Sequence, residues 1–102
     1  MSRTQFTVTV VEEDLRLSLA ELCRACSVPE EQIRVWVVEG VLEPIGHSPQ
    51  EWRFEGPALH RARLALALTR ELEVNPPGVA LALDLLDEIA ALRARLRRAS
   101  ST

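Results

Sequence analysis

The stretch "SLAELCRACSVPEEQIRVWVVEG", from Ser18 to Gly40, has the pattern of two short helices joined by a tight turn. Ser18 followed three positions later by Glu21 is a capping box, in which each side chain bonds a backbone N–H that the first helical turn leaves free. Pro29 suits the first residue of a second helix, and Gly40 suits a left-handed helix end. Because about three residues separate the two helices, the sequence predicts a helix-turn-helix over residues 18–40.

The size and composition of the chain limit what this motif can belong to. With 102 residues, the chain is predicted to be one domain, 1–102, with a single modest hydrophobic core. Hydrophobic residues make up 47% of it and Tyr is absent, so we expect a folded and largely helical protein. The sequence has no run of about 18 apolar residues, and its first residues lack a signal-peptide pattern, so we expect no membrane span and a cytoplasmic protein.

Two further segments predict a small sheet. The stretch "QFTVTVV", residues 5–11, alternates apolar and polar side chains, which indicates a half-buried strand. Residues 43–56, "EPIGHSPQEWRFEG", contain two prolines and two glycines and predict a wing with a short strand around residues 51–54. Because an isolated strand is not stable in water, we expect the N-terminal strand to pair with the wing.

The second half of the chain predicts two longer helices, over residues 57–72 and 78–98, separated by Asn75-Pro76-Pro77. The last helix repeats apolar residues at steps of three and four: Ala82, Leu85, Ile89, Leu92 and Leu96. This is an a/d seam of about two heptads, although a single amphipathic helix on its own core would give the same pattern. Little of this small chain is left to cover the seam. We therefore expect the last four seam residues, Leu85, Ile89, Leu92 and Leu96, to bind a second copy of the chain in a homodimer.

The charge distribution argues against a nucleic-acid partner. The formal net charge is −3, and residues 1–56 hold ten acidic residues against five arginines. The second predicted helix carries Glu30, Glu31 and Glu39, with Arg34 as its one cation. A helix that reads DNA needs a basic surface, which this one lacks.

An apolar strip lies beside these acidic residues. Ile33, Trp36 and Val37 can face the core. This leaves Val35 and Val38 on the other side, at helical spacing from Glu31. Valines next to carboxylates suit a basic, partly apolar protein surface better than phosphate oxygens. The pattern is equally consistent with burial of both valines by the N-terminal strand or by a dimer partner.

The residue types that could carry chemistry form no recognisable catalytic or metal-binding pattern. Cys23 and Cys26 form a C-x-x-C at the end of the first helix, where the helix dipole opposes a thiolate. His47 and His60 are thirteen residues apart and do not resemble a pair of zinc ligands. We therefore expect two buried thiols rather than a redox pair, and a protein that is not an enzyme and has no cofactor or metal.

Three acidic residues on the last helix, Asp84, Asp87 and Glu88, have spacings of three and four. Residues at these spacings share one helix face. We expect a solvated acidic stripe there, with a site for a basic partner as the alternative.

The helix-turn-helix, its glycine stop and the wing resemble a MerR-type winged helix-turn-helix. "LAELCRACSVPEEQIRVWVVEGVL" is similar to the first two helices of that family, and "EWRFE" is similar to its wing motif. The resemblance implies that Arg34 and Arg53 fall where the family places arginines that contact phosphates or bases. Val35 and Val37, however, replace the polar and aromatic residues usual there. A MerR-type DNA-binding transcriptional regulator is therefore the alternative function.

A second resemblance extends over nearly the whole chain. The helix-turn-helix, "EWRF", the Pro-Pro-Gly step and "LALDLLDEIAALRARL" together resemble the CbpM chaperone-modulator family. The expected fold is mainly α: a MerR-like winged helix-turn-helix with a short N-terminal β-strand that pairs with the wing and a long C-terminal helix. The resemblance implies binding to the J domain of a DnaJ-like curved-DNA-binding co-chaperone, whose co-chaperone action and DNA binding are inhibited.

We therefore expect a stoichiometric inhibitor that makes no covalent change in its partner. Charge complementarity would speed the encounter and set the orientation, and buried apolar contacts would hold the complex. The expected partner-binding residues are Glu30, Glu31, Arg34, Val35, Val38, Glu39 and Trp52.

Overall fold

The computed structural model describes residues 16–101. Within this range the chain is mainly helical, with four helices and a short antiparallel sheet of two strands, which confirms the predicted mainly α class. The elements are β1 (Arg16–Leu17), α1 (Leu19–Cys26), α2 (Glu30–Val38), β2 (Phe54–Glu55), α3 (Gly56–Leu72) and α4 (Pro76–Ser100). The strand predicted over residues 5–11 lies outside the described residues.

Local backbone contacts define the ends of α1 and α2. The Ser18 N–H donates to a Glu21 carboxylate oxygen at 2.8 Å, and the Glu21 N–H donates to the Ser18 hydroxyl at 3.2 Å, which is the predicted capping box. Ser27 ends α1 in a left-handed conformation with φ of 58°. Pro29 is the N-cap of α2 rather than its first residue, because its ψ of 158° is extended. Gly40 follows α2 with φ of 83°, as expected of a glycine stop.

The sheet joins the wing to the residues just before α1. β1 and β2 run antiparallel, with Arg16 opposite Glu55 and Leu17 opposite Phe54. β2 starts later than the predicted strand around residues 51–54, because residues 48–51 close a turn through a backbone hydrogen bond of 2.8 Å. The wing is thereby attached to the first helix of the helix-turn-helix.

A tight bend shapes the wing itself. Ile45 and Arg53 form an isolated bridge in which their backbone groups exchange two hydrogen bonds of 2.9 Å. Gly46, next to this bridge, has φ of 117°. A Cβ atom at this position would lie 2.7 Å from the carbonyl oxygen of Glu51, so the bend requires glycine.

The hydrophobic core is centred on the inner face of α2. Ile33 and Trp36 are fully buried there, as predicted, and Phe54 of β2 is fully buried with them. The other core residues come from α1 and its turn, the segment after α2, α3 and the start of α4: Leu19, Leu22, Cys23, Cys26, Val28, Val41, Leu42, Leu59, Ala62, Ala65, Val79 and Leu83. This core closes the helix-turn-helix against α3.

Helix α4 is much longer than its buried part. It starts earlier than the predicted residue 78, because prolines fit a first helical turn and the Asn75 side chain accepts the N–H of Gly78 at 2.8 Å. The helix has 25 residues, a length of about 37 Å, yet only Val79 and Leu83 are buried. Most of α4 therefore extends beyond the core. Despite its length, neither it nor any other helix within residues 16–101 is apolar enough to cross a membrane.

Candidate partner-binding surfaces

The outer face of α2 presents most of the predicted partner-binding residues to solvent. Val38 is 81% exposed. Around it, Glu30, Glu31, Arg34 and Glu39 are exposed, and Val35 is half-buried. Arg34 and Glu31 precede Val38 by four and seven residues, so all three side chains lie on the same face of the helix. The helix thus offers an exposed apolar side chain within a charged, mainly acidic surface.

Arg34 is partly neutralised by Glu30. Its Nη2 atom lies 3.5 Å from Glu30 Oε1, one helical turn away, and both side chains are about half exposed. An exposed pair of this kind contributes at most about 1 kcal/mol, so either partner can exchange it for another charge. With Glu31 and Glu39 also exposed, the face of α2 is acidic overall, which is unfavourable for DNA phosphates.

A cleft of about 340 Å³ separates α2 from the turn of the wing. Its lining comes from three parts of the chain: Ser18, Leu19, Ala20, Glu30, Arg34, Pro49 and Gln50. The ion pair of α2 therefore shares a cleft with the wing turn. Trp52 is not among the lining residues. It is half-buried and packs edge-on against Phe54, with ring centroids 6.0 Å apart.

Arg53, the wing arginine singled out by the MerR-type resemblance, contacts the backbone of the residue before it. Its Nη1 atom donates to the carbonyl oxygen of Trp52 at 2.7 Å. Arg34 is likewise engaged by Glu30. Both arginines that the resemblance placed toward DNA therefore contact groups of this chain.

The two thiols of the C-x-x-C are buried and are not joined by a disulfide. Cys23 and Cys26 both belong to the core, which confirms the prediction of buried thiols. Burial raises the pKa of each thiol, and Glu30 raises the pKa of Cys23 further. A thiol kept protonated is a poor nucleophile. In the part of the chain that the structure describes, no group of three or more His, Cys, Asp or Glu side chains is placed to hold a metal ion.

A contact that sequence reasoning missed joins α3 to α4. Arg61 donates through Nη1 to Asp87 Oδ2 at 2.6 Å and through Nη2 to Asp84 Oδ1 at 2.8 Å. Its Nε donates to the carbonyl oxygen of Val41. We expected a solvated acidic stripe on α4. The structure differs from this expectation, because two of the three carboxylates bind an arginine of the same chain. Separations of 23 and 26 residues leave no local spacing signal for such a contact.

The predicted dimer seam forms an apolar face on α4. Leu85, Ile89, Leu92 and Leu96 are between 44% and 66% exposed. A helical projection places this face well away from Val79 and Leu83, which pack into the core. Nothing within residues 16–101 buries it, and a contiguous exposed apolar strip is typical of a protein–protein contact.

The sequence matches known proteins over most of its length. The family model for a MerR HTH family regulatory protein matches residues 17–100. A chaperone modulatory protein CbpM of Coxiella burnetii (strain Dugway 5J108-111) is 42% identical over 88 residues, which cover 86% of this chain and 83% of that protein. This chain belongs to the CbpM family.

Two CbpM proteins from Pseudomonas agree with this assignment. Those of Pseudomonas putida (strain W619) and Pseudomonas entomophila (strain L48) are 39% and 38% identical over 79 residues, and each match covers 78% of this chain and 78% of the relative. The predicted CbpM membership and MerR-like helix-turn-helix fold are confirmed. The CbpM and MerR descriptions are of a chaperone modulator and a regulatory protein, not of an enzyme.

Proposed function

We propose that this CbpM-family protein binds the J domain of a DnaJ-like curved-DNA-binding co-chaperone and inhibits its co-chaperone and DNA-binding activities. Membership of a family of chaperone modulators supports the general role. The observation that favours a protein partner over DNA is Val38, which is 81% exposed on a mainly acidic helix face. A helix that reads DNA presents basic and polar groups to phosphates and base edges instead.

Charge would govern the encounter between the two proteins. Glu30, Glu31 and Glu39 make the outer face of α2 acidic. The family resemblance implies that a J domain presents a basic helix to its chaperone ATPase. Opposite charges speed association and set orientation more than they add affinity. An acidic face bound to that helix would exclude the ATPase, so the inhibition would be stoichiometric and competitive.

Apolar contact would then hold the complex. Val38 and the half-buried Val35 offer apolar surface on the same side of α2, and full burial of a valine side chain stabilises by about 1.5–3 kcal/mol. Arg34 can exchange Glu30 for a carboxylate of the partner, because the pair that it forms now is weak. Trp52, on the wing, remains a predicted contact.

We also infer that the protein is a homodimer held together by α4. The seam residues Leu85, Ile89, Leu92 and Leu96 are spaced by four, three and four, so the series is the same in both directions. Two antiparallel copies would place Leu85 against Leu96 and Ile89 against Leu92 in matched layers. The exposure of all four side chains supports this use of the face.

The charges of α4 favour the same orientation. Its first half carries Asp84, Asp87 and Glu88, and its last turns carry Arg93, Arg95, Arg97 and Arg98. Asp84 and Asp87 bind Arg61 of their own chain, so the arginines decide the orientation: antiparallel pairing keeps the two arginine ends apart. Parallel pairing would instead place the two arginine ends side by side, where like charges repel.

A calorimetric titration of the protein into the isolated J domain of its cognate co-chaperone tests the proposed function, with duplex DNA titrated in parallel. Micromolar or tighter binding to the J domain with no binding to the duplex is the expected result. Duplex affinity that falls steeply with salt, without J-domain binding, would support a MerR-type DNA-binding regulator instead. Binding to neither ligand would also overturn the proposal.

A further inference from the structure

The side chain of Arg61 donates to three acceptors in two separate parts of the fold. It lies on α3 and is only 22% exposed. Its Nε donates to the carbonyl oxygen of Val41, just after α2, while its two terminal nitrogens donate to Asp84 and Asp87 on α4. One guanidinium therefore links the end of the helix-turn-helix to the long C-terminal helix.

The planar shape of the guanidinium restricts where the groups that it binds can lie. Its donors lie in one plane in a fixed fork, so three simultaneous acceptors must keep a defined arrangement. One of the acceptors is itself firmly placed, because Val41 is fully buried and follows the left-handed turn at Gly40. The positions of Asp84 and Asp87 are thereby set relative to the end of α2.

Apolar packing around this link is incomplete. A groove of about 530 Å³ opens between α3 and α4 beside Arg61, and its apolar lining includes Pro57, Leu64, Leu83, Leu86 and Ala90. Within the described range, no residue of α4 beyond Leu83 is buried. Packing alone therefore leaves α4 room to tilt about its first turns.

We propose that Arg61, Asp84 and Asp87 form a lock that fixes the direction of α4 relative to α2. Arg61 is a positioning residue in this account, since it belongs to neither proposed binding surface. In a homodimer built through α4, the direction of that helix sets the separation and orientation of the two α2 surfaces. This last consequence rests on the proposed function, whereas the lock itself concerns the single chain.

The lock is accessible to solvent from one side. Asp84 and Asp87 have side chains that are 69% and 72% exposed, while Arg61 is mostly covered. Salt ions and cationic side chains of a partner can therefore compete for the two carboxylates. The contact from Nε to Val41 is less accessible, so Arg61 stays in place when the carboxylates are released.

Residual dipolar couplings of the backbone amides in the ¹⁵N-labelled full-length protein test the lock in the absence of a J domain. In the wild type, the couplings of α4 and of α1–α2 should fit one common alignment tensor. In the double variant Asp84→Asn with Asp87→Asn, the couplings of α4 should require a separate, smaller tensor. Arg61→Lys, which keeps the charge but not the fork, should have the same effect.

A matched control removes two carboxylates outside the lock. Glu51→Gln with Glu71→Gln changes the net charge equally at exposed positions and should keep the common tensor. A common tensor in both lock variants, with circular dichroism showing that they fold, would overturn the proposal, because packing alone would then direct α4. If the wild-type protein does not bind the J domain, the proposed function is wrong, but the proposed lock is unaffected.

Discussion

Val38 is the residue on which the proposed interface depends most. Its side chain is already exposed, so Val38→Ser should change the free energy of unfolding by no more than about 0.5 kcal/mol. Loss of its burial against the J domain should lower affinity about tenfold, measured by calorimetry. Leu72→Ser, at an exposed apolar position at the end of α3, is the matched control and should bind normally. Equal affinity of both variants would place the interface elsewhere.

Glu30 and Glu31 are the residues that we expect to attract the J domain electrostatically. The double variant Glu30→Lys with Glu31→Lys reverses the charge at the start of α2, so we expect slower association with the J domain and a weaker dependence of the rate on salt. Stopped-flow association at several ionic strengths measures both quantities. Glu71→Lys with Glu73→Lys makes the same change of net charge at exposed positions at the C-terminal end of α3. An identical decrease of the association rate in both double variants would mean that net charge, and not the position of the glutamates, determines the rate.

Cys23 and Cys26 give a test of the thiol interpretation. Burial holds the pKa of each thiol above its ordinary value, so the reactive thiolate forms only at higher pH than for a free cysteine. We expect a disulfide reagent such as Ellman's reagent to modify the native protein slowly at neutral pH and the urea-unfolded protein rapidly. Prompt reaction of both thiols in the native protein would support a redox role.

The helices differ in how far local sequence determines them. The capping box at Ser18, the stop at Gly40 and the burial of Ile33 and Trp36 depend on neighbours within a few positions, so the sequence could predict them. β1 has only two residues, too few for any periodic pattern. The direction of α4 depends on Arg61, whose partners are 20 to 26 residues away. No spacing rule reaches that far.

The candidate site follows the same division. Helical periodicity was enough to place Val38 and the acidic residues of α2 outside the core. It could not show that Glu30 and Arg34 share a cleft with Pro49 and Gln50 of the wing, because that depends on how the wing folds back. Nor could it show that Trp52 packs against Phe54 rather than lining the cleft.

Arg61 should also contribute to the stability of the contact between α3 and α4. Arg61→Gln leaves the buried carbonyl of Val41 without its present donor, and a buried group that loses its hydrogen bond costs about 1–3 kcal/mol. The pairs with Asp84 and Asp87 add less, since both carboxylates face solvent. Urea unfolding followed by circular dichroism measures the change. Arg63→Gln, at an exposed position on the same helix, should cost much less; an equal cost would contradict the contact.

The part of the molecule that the structure describes is elongated, because α4 extends well beyond the single core. It measures 47 × 31 × 29 Å, and the seam of α4 lies outside the single core. A glutamate in the middle of the seam, Ile89→Glu, would bury a charge in the proposed dimer and should convert it to a monomer. Sedimentation velocity measures the mass directly, with Leu72→Glu as an exposed apolar control. A monomeric wild type would contradict the homodimer.

The two proposed surfaces lie on different helices, so they can be distinguished in one experiment. The J domain is expected on α2 and the wing turn, whereas a second copy is expected on α4. Amide chemical shifts of the ¹⁵N-labelled protein, recorded while unlabelled J domain is added, report on every residue of both surfaces.

This titration tests the central claim most directly. Shift changes that cluster on Glu30–Val38 and the wing turn at residues 49–50, with little change along the end of α4, are what the account predicts. Changes confined to α3 and α4 would show that a J domain binds this chain through another surface. No change at saturating J domain would contradict the proposed function itself.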